Sequence, residues 1–452
     1  MTAAETWRVR HLGKFKNGAG FPVDMQGDPS NDIAFFKVKH LNVHGLGASI
    51  QDTEDTVSEE TARTLRATIF PPGTIVFAKI GAALLLGRFS MLGRKACIDN
   101  NMAAFIPHKR LLEPDFALLS LSQIDMTTMV QPGPVPSLDT EAFNNFSIQP
   151  PDLDTQHIIV KFLHRETARI DQLIEKRERQ TDILREREEA TFLGAVTGFS
   201  RAGPKKASGV EWIGNIPVHW EAPKFTHISR QETGHTPSRK EDAYWVPEDC
   251  IIPWFSLADV WQIRQGDRVY VSETAEKISQ IGIANSAARL LPANTVILSR
   301  TASVGFPAIL GVPMATTQDF VGWICGARIK PKYLYYILRA MKPVFRRLMM
   351  GSTHQTIYMP DIHSFRTPLP PVSEQDQIVV ELDRATSRFR TAAAMITASV
   401  AKLREFRAAL ITAAVTGKID VATWGKRGTT DRRLDDIEKA VAAPPEREKV
   451  RA

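Results

Sequence analysis

Apolar side chains recur every seven residues in two stretches of the chain, around residues 160–190 and 380–410. In the second stretch, the positions three residues further on are mostly small, which is the a/d pattern of a helix that packs along another helix. The first stretch keeps the same phase but has two polar members, so its seam is predicted to be weaker. The seven-residue positions are Leu382, Phe389, Ile396, Leu403 and Leu410 in the second stretch, and Leu163, Ile170, Arg177, Leu184 and Thr191 in the first.

The two stretches are copies of one repeat. Sliding position 195 onto position 414 superposes their Ala-Val-Thr-Gly endings, at 195–198 and 414–417, and we call this shift the repeat offset. The Pro-Pro starts, at 150–151 and 370–371, superpose only when the shift is larger by one position, which predicts a single-position gap between the copies. Proline cannot continue a helix, and glycine commonly ends one. Each copy therefore predicts one long helix, within residues 151–200 and 370–424.

Both helix starts carry residues that suit a helix N-terminus. Asp154 in the first copy, and Ser373 and Glu374 in the second, supply a capping oxygen or negative charge to the first turn. Roughly forty residues of helix extend on the order of 60 Å. The simplest partner for one long helix is the other, so the sequence predicts an antiparallel coiled coil. Two unrelated amphipathic helices in one core are the alternative, which the shared heptad phase disfavours.

A globular segment precedes each long helix, over residues 1–150 and 210–369. Both contain short β-branched and aromatic runs separated by Gly and Pro, without regular alternation of strands and helices. The predicted fold class is α+β, with two mixed α/β domains separated by the two long helices. The second segment echoes the first, most clearly where residues 291–300 resemble residues 70–79.

Two polar segments complete the chain. Residues 201–209 are predicted to be a linker between domains. Residues 425–452 are rich in charge and alanine and contain Pro444-Pro445, so we expect a disordered tail with at most a short helix near residues 431–443.

Composition excludes several classes of protein. The three cysteines, Cys97, Cys250 and Cys325, form no CxxC pair, which argues against a disulfide framework and a cysteine-based zinc site. The chain shows neither an apolar signal core at its start nor a run of eighteen apolar residues, so a cytoplasmic location is expected. The net charge of +7 and the pI near 9.2 are compatible with an acidic partner such as DNA, but alone they are weak support.

Catalytic motifs are missing from the sequence. No Gly-Lys pair is followed by Ser or Thr, so there is no phosphate-binding P-loop. There is no Asp/Glu-x-Lys triplet of a common nuclease class, no Asn/Asp/Ser-Pro-Pro motif of an amino-methyltransferase, and no GxSxG, HExxH or GxGxxG. We therefore expect a binding protein and not an enzyme, with no catalytic or metal-ligating residue and no cofactor of its own.

The order globular segment, helix, globular segment, helix resembles the DNA-specificity subunit of type I restriction–modification systems. The resemblance covers about residues 5–424 and is carried by the Pro-Pro-Val-Ser-Glu-Gln-Asp-Gln-Ile-Val start of the second helix at 370–379 and by its weaker copy at 150–159. It also includes Gly209 to Trp220, before the second globular segment, and Lys418-Ile419-Asp420-Val421. The first copy departs from the pattern, with Asp154-Thr155 where the second has Glu374-Gln375.

This resemblance implies a non-catalytic subunit that recognises double-stranded DNA. Each globular segment would be a target-recognition domain for one half of a bipartite site, and the helix pair would set the gap between the halves. Two methylation subunits would supply S-adenosylmethionine chemistry on adenine. Restriction subunits would supply ATP-dependent translocation and cleavage with Mg. A protein-binding coiled-coil scaffold, or an inactive orphan copy without specific DNA binding, remains the alternative.

Basic residues at strand ends and in loops are the candidates for DNA contact. Lys79 and Arg300 end the echoed strand in each globular segment, where a cation could meet a phosphate or a guanine edge. A solvated charge at a strand end is the competing interpretation for each candidate. Four tryptophans, at 245, 254, 261 and 323, are predicted to lie in the core. The predicted DNA-contacting residues are Lys37, Lys39, Lys79, Arg94, Lys95, Arg300, Thr301, Arg346, Arg347 and Thr353.

Overall fold

The computed structural model describes residues 6–28, 30–41, 49–264, 266, 268–349, 356–426 and 428–442. The chain divides into two compact units. Unit 1 contains residues 1–178 and 397–452, and unit 2 contains residues 179–396. Each long helix therefore begins in one unit and ends in the other, although the sequence assigned each helix a segment of its own.

The helices range from single turns to two that are 44 residues long. They are α1 (Val9–Leu12), α2 (Glu59–Thr64), α3 (Ala82–Leu85), α4 (Pro114–Leu121), α5 (Thr140–Asn145), α6 (Leu153–Val196), α7 (Trp261–Arg264), α8 (Gln280–Ala284), α9 (Pro331–Ala340), α10 (Lys342–Met349), α11 (Met359–Ser364), α12 (Val372–Val415), α13 (Val421–Lys426) and α14 (Thr429–Ala442).

Unit 1 contains a five-stranded sheet, in the order β2-β9-β6-β7-β4, and a three-stranded sheet, in the order β5-β3-β8. The β7–β4 and β3–β8 pairs are parallel, and the other pairs in these sheets are antiparallel. The strands of this unit are β1 (Trp7–Arg8), β2 (Gly13–Asn17), β3 (Ile33–Phe36), β4 (Ser49–Ile50), β5 (Thr56–Val57), β6 (Ile75–Ala78), β7 (Phe89–Leu92), β8 (Ala96–Ile98), β9 (Met102–Pro107), β10 (Val130–Gln131), β11 (Ser137–Leu138) and β12 (Ser147–Ile148).

Unit 2 repeats this topology. Its five-stranded sheet has the order β15-β22-β19-β20-β17, its three-stranded sheet has the order β18-β16-β21, and β20–β17 and β16–β21 are the parallel pairs. The strands of this unit are β13 (Lys205–Ala207), β14 (Asn215–Pro217), β15 (Ser229–Thr233), β16 (Ile252–Phe255), β17 (Tyr270–Val271), β18 (Glu276–Ile278), β19 (Val296–Ser299), β20 (Pro307–Leu310), β21 (Ala315–Thr316) and β22 (Phe320–Cys325).

The central strands of both five-stranded sheets are buried on both faces. Every residue of β6 and β19 is buried, because helices pack over one face and the three-stranded sheet over the other. A strand covered on both sides shows a continuous apolar run instead of alternation. This explains why runs of β-branched residues predicted these strands correctly, and the α+β fold class is confirmed.

The long helices α6 and α12 begin at residues 153 and 372 and end at 196 and 415, so both pairs of ends are related by the repeat offset. The gap in the Pro-Pro alignment therefore lies before the helices and not inside them. Asp152 caps α6, since its Oδ1 accepts the Thr155 N–H at 2.9 Å. Asp154 lies in the first turn, where it supplies the predicted negative charge but not the cap. Gly198 and Gly417 follow the helix ends with φ of +68° and +70°, a conformation that favours glycine.

Within unit 1, the two long helices pack antiparallel. Arg407 Nε lies 2.8 Å from Asp171 Oδ1, and Arg404 Nη2 lies 2.8 Å from Glu178 Oε1, so residue numbers rise along α6 as they fall along α12. The seam residues Leu163, Ile170, Leu403 and Leu410 are buried in one apolar cluster. This part of the predicted coiled coil is confirmed.

Within unit 2, the ends of the same helices join another cluster. Leu382 is buried there together with Phe192, Val196 and Ile378. The remaining predicted seam residues are only partly buried: Leu184, Phe389 and Ile396. The heptad pattern thus predicted close packing along the whole helix, whereas the described side chains pack tightly at its ends.

Two polar segments are more ordered than their composition suggested. Within the predicted linker, Lys205–Ala207 form β13, which pairs with β14. Within the tail, the short helix expected near residues 431–443 is present as α14, Thr429–Ala442, and its Leu434 is buried in the core of unit 1. Its acidic residues are used in ion pairs with α6, Asp431 with Arg169 and Glu438 with Arg177. High charge therefore did not mean disorder here, because the charges have partners and one face is apolar. Residues 443–452 lie outside the described part of the chain.

Candidate nucleic-acid interface

The loops after β6 and β19 are built in the same way. The Lys79 carbonyl accepts the N–H of Leu138 at 2.9 Å, and the Arg300 carbonyl accepts the N–H of Ile357 at 2.8 Å. The two donors, Leu138 and Ile357, correspond under the repeat offset, as the long helices do. Lys79 and Arg300 therefore occupy equivalent places on a shared backbone framework, as their sequences predicted.

Their side chains differ in what they contact. Lys79 Nζ donates to Asn17 Oδ1 at 3.0 Å, and partial burial lowers the pKa of this amine. The Arg300 guanidinium donates to two backbone carbonyls, from Nε to Gln318 at 3.0 Å and from Nη1 to Ile357 at 3.3 Å. Arg300 thus holds its own loop in place, which sequence reasoning did not anticipate.

Both loops contain a residue in the left-handed region. Gly81 has φ of +77°, and its N–H donates to Pro136 O at 2.7 Å. The residue after Thr301 is Ala302, with φ of +58°. A Cβ makes this conformation costly, and such strain is concentrated at functional sites. Thr301 is held by a bridge to Thr356.

A second group of cations follows β3 in unit 1. Lys37 and Lys39 both contact Asp55, at 2.9 and 2.8 Å, while their own exposed fractions are 31% and 65%. The His40 ring accepts the Lys37 N–H at 2.9 Å. Burial, together with the neighbouring Lys39 charge, lowers the pKa of His40. One carboxylate thus faces two ammonium groups and a mainly neutral imidazole, which leaves a net positive surface.

The equivalent turn of unit 2 carries different chemistry. The Ser256 N–H donates to Asp259 Oδ2 at 3.0 Å, in the place of the Lys37–His40 contact. The short helix α7 follows, and its Trp261 is 67% exposed. The prediction that Trp261 lies in the core was wrong, whereas Trp254 and Trp323 are buried as predicted. A lone tryptophan in a four-residue helix has no periodicity from which burial could be inferred.

The other predicted contacts have varied surroundings. Arg94 is exposed and donates to the Asp32 carbonyl at 2.9 Å, and Lys95 beside it is exposed. Arg346 makes two bonds to Glu189, at 2.8 and 3.3 Å. Arg347 lies 2.6 Å from Glu211. Thr353 falls outside the described residues.

The structure therefore groups the predicted residues only in part. Lys37 and Lys39 form one cluster, and Arg300 and Thr301 share one loop. Arg346 and Arg347 instead join α10 to the end of α6 and to the segment before β14, which are both parts of unit 2.

Two buried glutamines at matching positions, one in each long helix, join the start of that helix to the unit in which it begins. Sequence reasoning missed both. Gln156 Oε1 accepts the N–H of Glu113 at 2.9 Å, and its Nε2 donates to the carbonyls of Leu111 and Pro151 at 2.9 and 2.8 Å. Gln156 is fully buried.

Gln375 makes the same three contacts in unit 2. Its Oε1 accepts the Lys330 N–H at 2.9 Å, and its Nε2 donates to Arg328 O at 2.8 Å and Pro370 O at 2.9 Å. The alignment on the Pro-Pro pairs had placed Thr155 opposite Gln375. The repeat offset, which also relates the two helices, places Gln156 there, so the apparent departure at Gln375 disappears, while Thr155 lies opposite Glu374. If the helix starts had been aligned with the same offset as the Ala-Val-Thr-Gly endings, the sequence would have revealed that Gln156 and Gln375 correspond.

Other kinds of site find little support in the described part of the chain. It contains no group of three or more His, Cys, Asp or Glu residues that could hold a metal ion. No described helix is long and apolar enough to cross a membrane. Burial raises the pKa of the Cys97 and Cys325 thiols to about 12, so neither favours the reactive thiolate form.

Comparison with known proteins agrees with this geometry. The family model described as "Type I restriction modification DNA specificity domain" matches residues 4–181 and 217–395. The chain is 28% identical over 172 residues to the type I restriction enzyme MjaIX specificity subunit of Methanocaldococcus jannaschii, which is 38% of either protein. It is also 28% identical over 179 residues to the EcoR124I/EcoR124II specificity subunit of Escherichia coli, which is 37% of this chain and 40% of that protein. The matched part thus spans about two fifths of the length of these curated relatives.

One solved structure shares the fold over most of its length. It is described as "Structural basis underlying complex assembly and conformational transition of the type I R-M system", and one of its chains matches with a TM-score of 0.63 and 16% identity. The match covers 92% of this chain and 98% of that one. At this identity, the likeness concerns the fold alone.

Proposed function

The chain belongs to the type I restriction modification DNA specificity family, and we propose that it is the subunit that recognises DNA sequence in a type I restriction–modification complex. The observation that carries the proposal is the doubled unit. Two sheets of the same strand order and pairing carry different residues at the same turns, Lys37 and Lys39 in unit 1 against Ser256 and Ala258 in unit 2. A shared framework with different surface residues suits two different half-sites of one bipartite sequence.

The contacts would divide into two kinds. Cations such as Lys37 and Lys39 hold phosphates, which fixes the position of the duplex without specifying its sequence. Side chains that reach base edges in a groove provide specificity. Lys37 and Lys39 share the one carboxylate of Asp55, whereas Arg346 and Arg347 each pair with a carboxylate of their own, so we expect the arginines to contribute less. The full set proposed to lie near DNA is Lys37, Lys39, Lys79, Arg94, Lys95, Arg300, Thr301, Arg346, Arg347 and Thr353.

The two long helices would fix the gap between the half-sites. A helix of 44 residues extends about 66 Å at about 1.5 Å per residue, which is comparable to about two turns of duplex DNA. A change in helix length should therefore change the number of unspecified base pairs.

Catalysis would belong to partner subunits. We propose that two methylation subunits supply S-adenosylmethionine chemistry on adenine and that restriction subunits supply ATP- and Mg-dependent translocation and cleavage. The chain itself would be non-catalytic, would carry no cofactor and would work in the cytoplasm.

The test is a binding measurement on the complex of this chain with its cognate methylation subunits. Duplexes selected from a random pool should converge on two short defined halves with a constant gap. Affinity for them should fall steeply as salt rises, because phosphate contacts release counterions. An intact complex that enriches no sequence from the pool would favour the scaffold or orphan copy.

A further inference from the structure

Trp261 projects from the surface of unit 2. It is 67% exposed, whereas the other tryptophans, all within the described residues, are buried or half-buried. Exposure of a single apolar residue needs no explanation by itself. What makes this ring unusual is how firmly its neighbours are held and which charges surround it.

The residues around Trp261 fix its position. Val260 and Ile263 are buried in the core of unit 2, with exposed fractions of 1% and 2%. Gln262 is also buried, and its Nε2 donates to the Glu273 carbonyl at 3.1 Å. The helix α7 therefore cannot turn its tryptophan inward without removing core side chains, and the indole is held outward on a rigid support.

Two arginines near the indole keep their charge available. Arg264 Nη2 donates to Ser303 Oγ at 2.9 Å, and Arg268 Nη1 donates to Gln262 Oε1 at 2.8 Å, so both partners are neutral. Both side chains are exposed. Arg264 and Arg268 take part in none of the ion pairs found among the described residues.

The Arg264–Ser303 bond links α7 to the loop after β19. That loop contains the strained Ala302, with φ of +58°, and begins next to the predicted DNA contacts Arg300 and Thr301. An aromatic ring on a fixed support, two guanidinium groups with neutral hydrogen-bond partners and a strained loop are thus linked in unit 2.

The location matches a cationic site in unit 1. The turn before α7 is Leu257–Asp259, and the repeat offset relates it to the Val38–His40 turn of unit 1. Both turns follow the middle strand of the three-stranded sheet, β16 or β3. The place that carries Lys37 and Lys39 in unit 1 therefore carries Ser256 and Ala258 in unit 2, and α7 with Trp261 follows directly after it.

We infer that Trp261 contacts a base of the half-site that unit 2 recognises, with Arg264 and Arg268 holding phosphates on either side. This inference rests on the proposed function. An apolar protein groove would not favour two cations beside the ring, whereas duplex DNA offers phosphates together with the apolar thymine methyl group in its major groove. Loss of a contact to one base pair weakens binding by about 10-fold or more, while each lost phosphate contact reduces the salt dependence of binding.

The experiment compares Trp261→Ala with the unvaried chain, each as a complex with the cognate methylation subunits. The matched control is Ile251→Ala, because Ile251 is 70% exposed and precedes β16 at the end opposite α7. The duplex carries the bipartite sequence selected by the unvaried complex, and its affinity is measured at several salt concentrations. Trp261→Ala should weaken binding by about 10-fold or more with an unchanged salt slope, and Ile251→Ala should bind as the unvaried chain does.

Two further variants sharpen the assignment. Arg264→Gln should lower the slope of log affinity against log salt by about one, and Trp261→Phe should retain most of the affinity that Trp261→Ala loses. Trp261→Ala should relax the sequence preference only in the half-site that unit 2 recognises.

Three results would overturn the inference. Trp261→Ala could bind the selected duplex as tightly as the unvaried complex does. It could lose affinity equally for unrelated duplexes, or it could release the methylation subunits on gel filtration, which would make the ring a protein contact. A different result would contradict the proposed function: the unvaried complex would then select no sequence from the random pool.

Discussion

Removal of the Gln375 amide should loosen the junction between α12 and α9 in unit 2. Gln375→Ala deletes three hydrogen bonds, to Lys330, Arg328 and Pro370, at a position that is fully buried. A buried backbone group left without a partner costs about 1–3 kcal/mol. Three such groups at the lower end of this range give a cost of about 3 kcal/mol in total.

Hydrogen exchange at the Lys330 amide measures this loss directly, since that N–H donates to Gln375 Oε1. A loss of about 3 kcal/mol corresponds to exchange that is faster by about two orders of magnitude, because about 1.4 kcal/mol is a factor of ten. Gln156→Ala should produce the same change at the amide of Glu113 in unit 1, where the bonds are equivalent. Each variant should leave the other unit unchanged.

The control is Gln280→Ala, which removes an exposed glutamine at the start of α8 and should alter neither amide. Gln375→Glu adds a second test. A carboxylate next to two carbonyl oxygens is unfavourable, so the folded-state pKa of the introduced carboxyl group would be raised, and the destabilisation should grow as pH rises through about 4.3. Unchanged exchange at Lys330 in Gln375→Ala would refute the view that this amide joins the helix to its unit.

Three further predictions follow from burial. Leu403→Asp places a charge in the apolar cluster of unit 1, where Leu403 is 3% exposed. The melting temperature followed by the helical circular-dichroism signal should fall, and bipartite recognition should be lost. An unchanged melting temperature with unchanged site spacing would contradict this. Deletion of residues 429–442 removes the buried Leu434 and should lower the free energy of unfolding of unit 1 by about 2–4 kcal/mol, as measured by urea unfolding. An unchanged urea midpoint would show that α14 adds no stability. Since burial raises the pKa of Cys97 to about 12, alkylation of this thiol near pH 8 should be at least about 1000-fold slower in the folded chain than in urea, and similar rates would contradict its burial.

The long helices were predicted well because their signals are local. A heptad pattern needs only spacing along the chain, and the glycines at 198 and 417 mark the ends through a backbone conformation that other residues rarely adopt. The short strands were predicted only where continuous β-branched runs fill a strand that is covered on both faces. Their order in the sheets, which is the same in both units, depends on pairings between distant segments that no local pattern encodes.

The features that the sequence did not predict depend on distant partners. Gln375 acts on a backbone amide 45 residues away, and Gln156 acts on one 43 residues away. Arg300 was predicted from its charge and its position at the end of the echoed strand, but its guanidinium bonds to two carbonyls of its own unit. The exposure of Trp261 depends on the buried residues on either side of it. Residue type and spacing therefore predicted the positions of the candidate contacts better than they predicted the contacts that each side chain makes.

The most direct test of the central claim is methylome mapping by long-read sequencing. The chain is expressed with its cognate methylation subunit in a host that lacks this kind of adenine methylation. We predict one split motif with two short defined halves and a constant gap, and exchange of residues 1–150 for those of a relative should change one half only. An intact complex that methylates no such motif, or an exchange that changes both halves, would contradict the account.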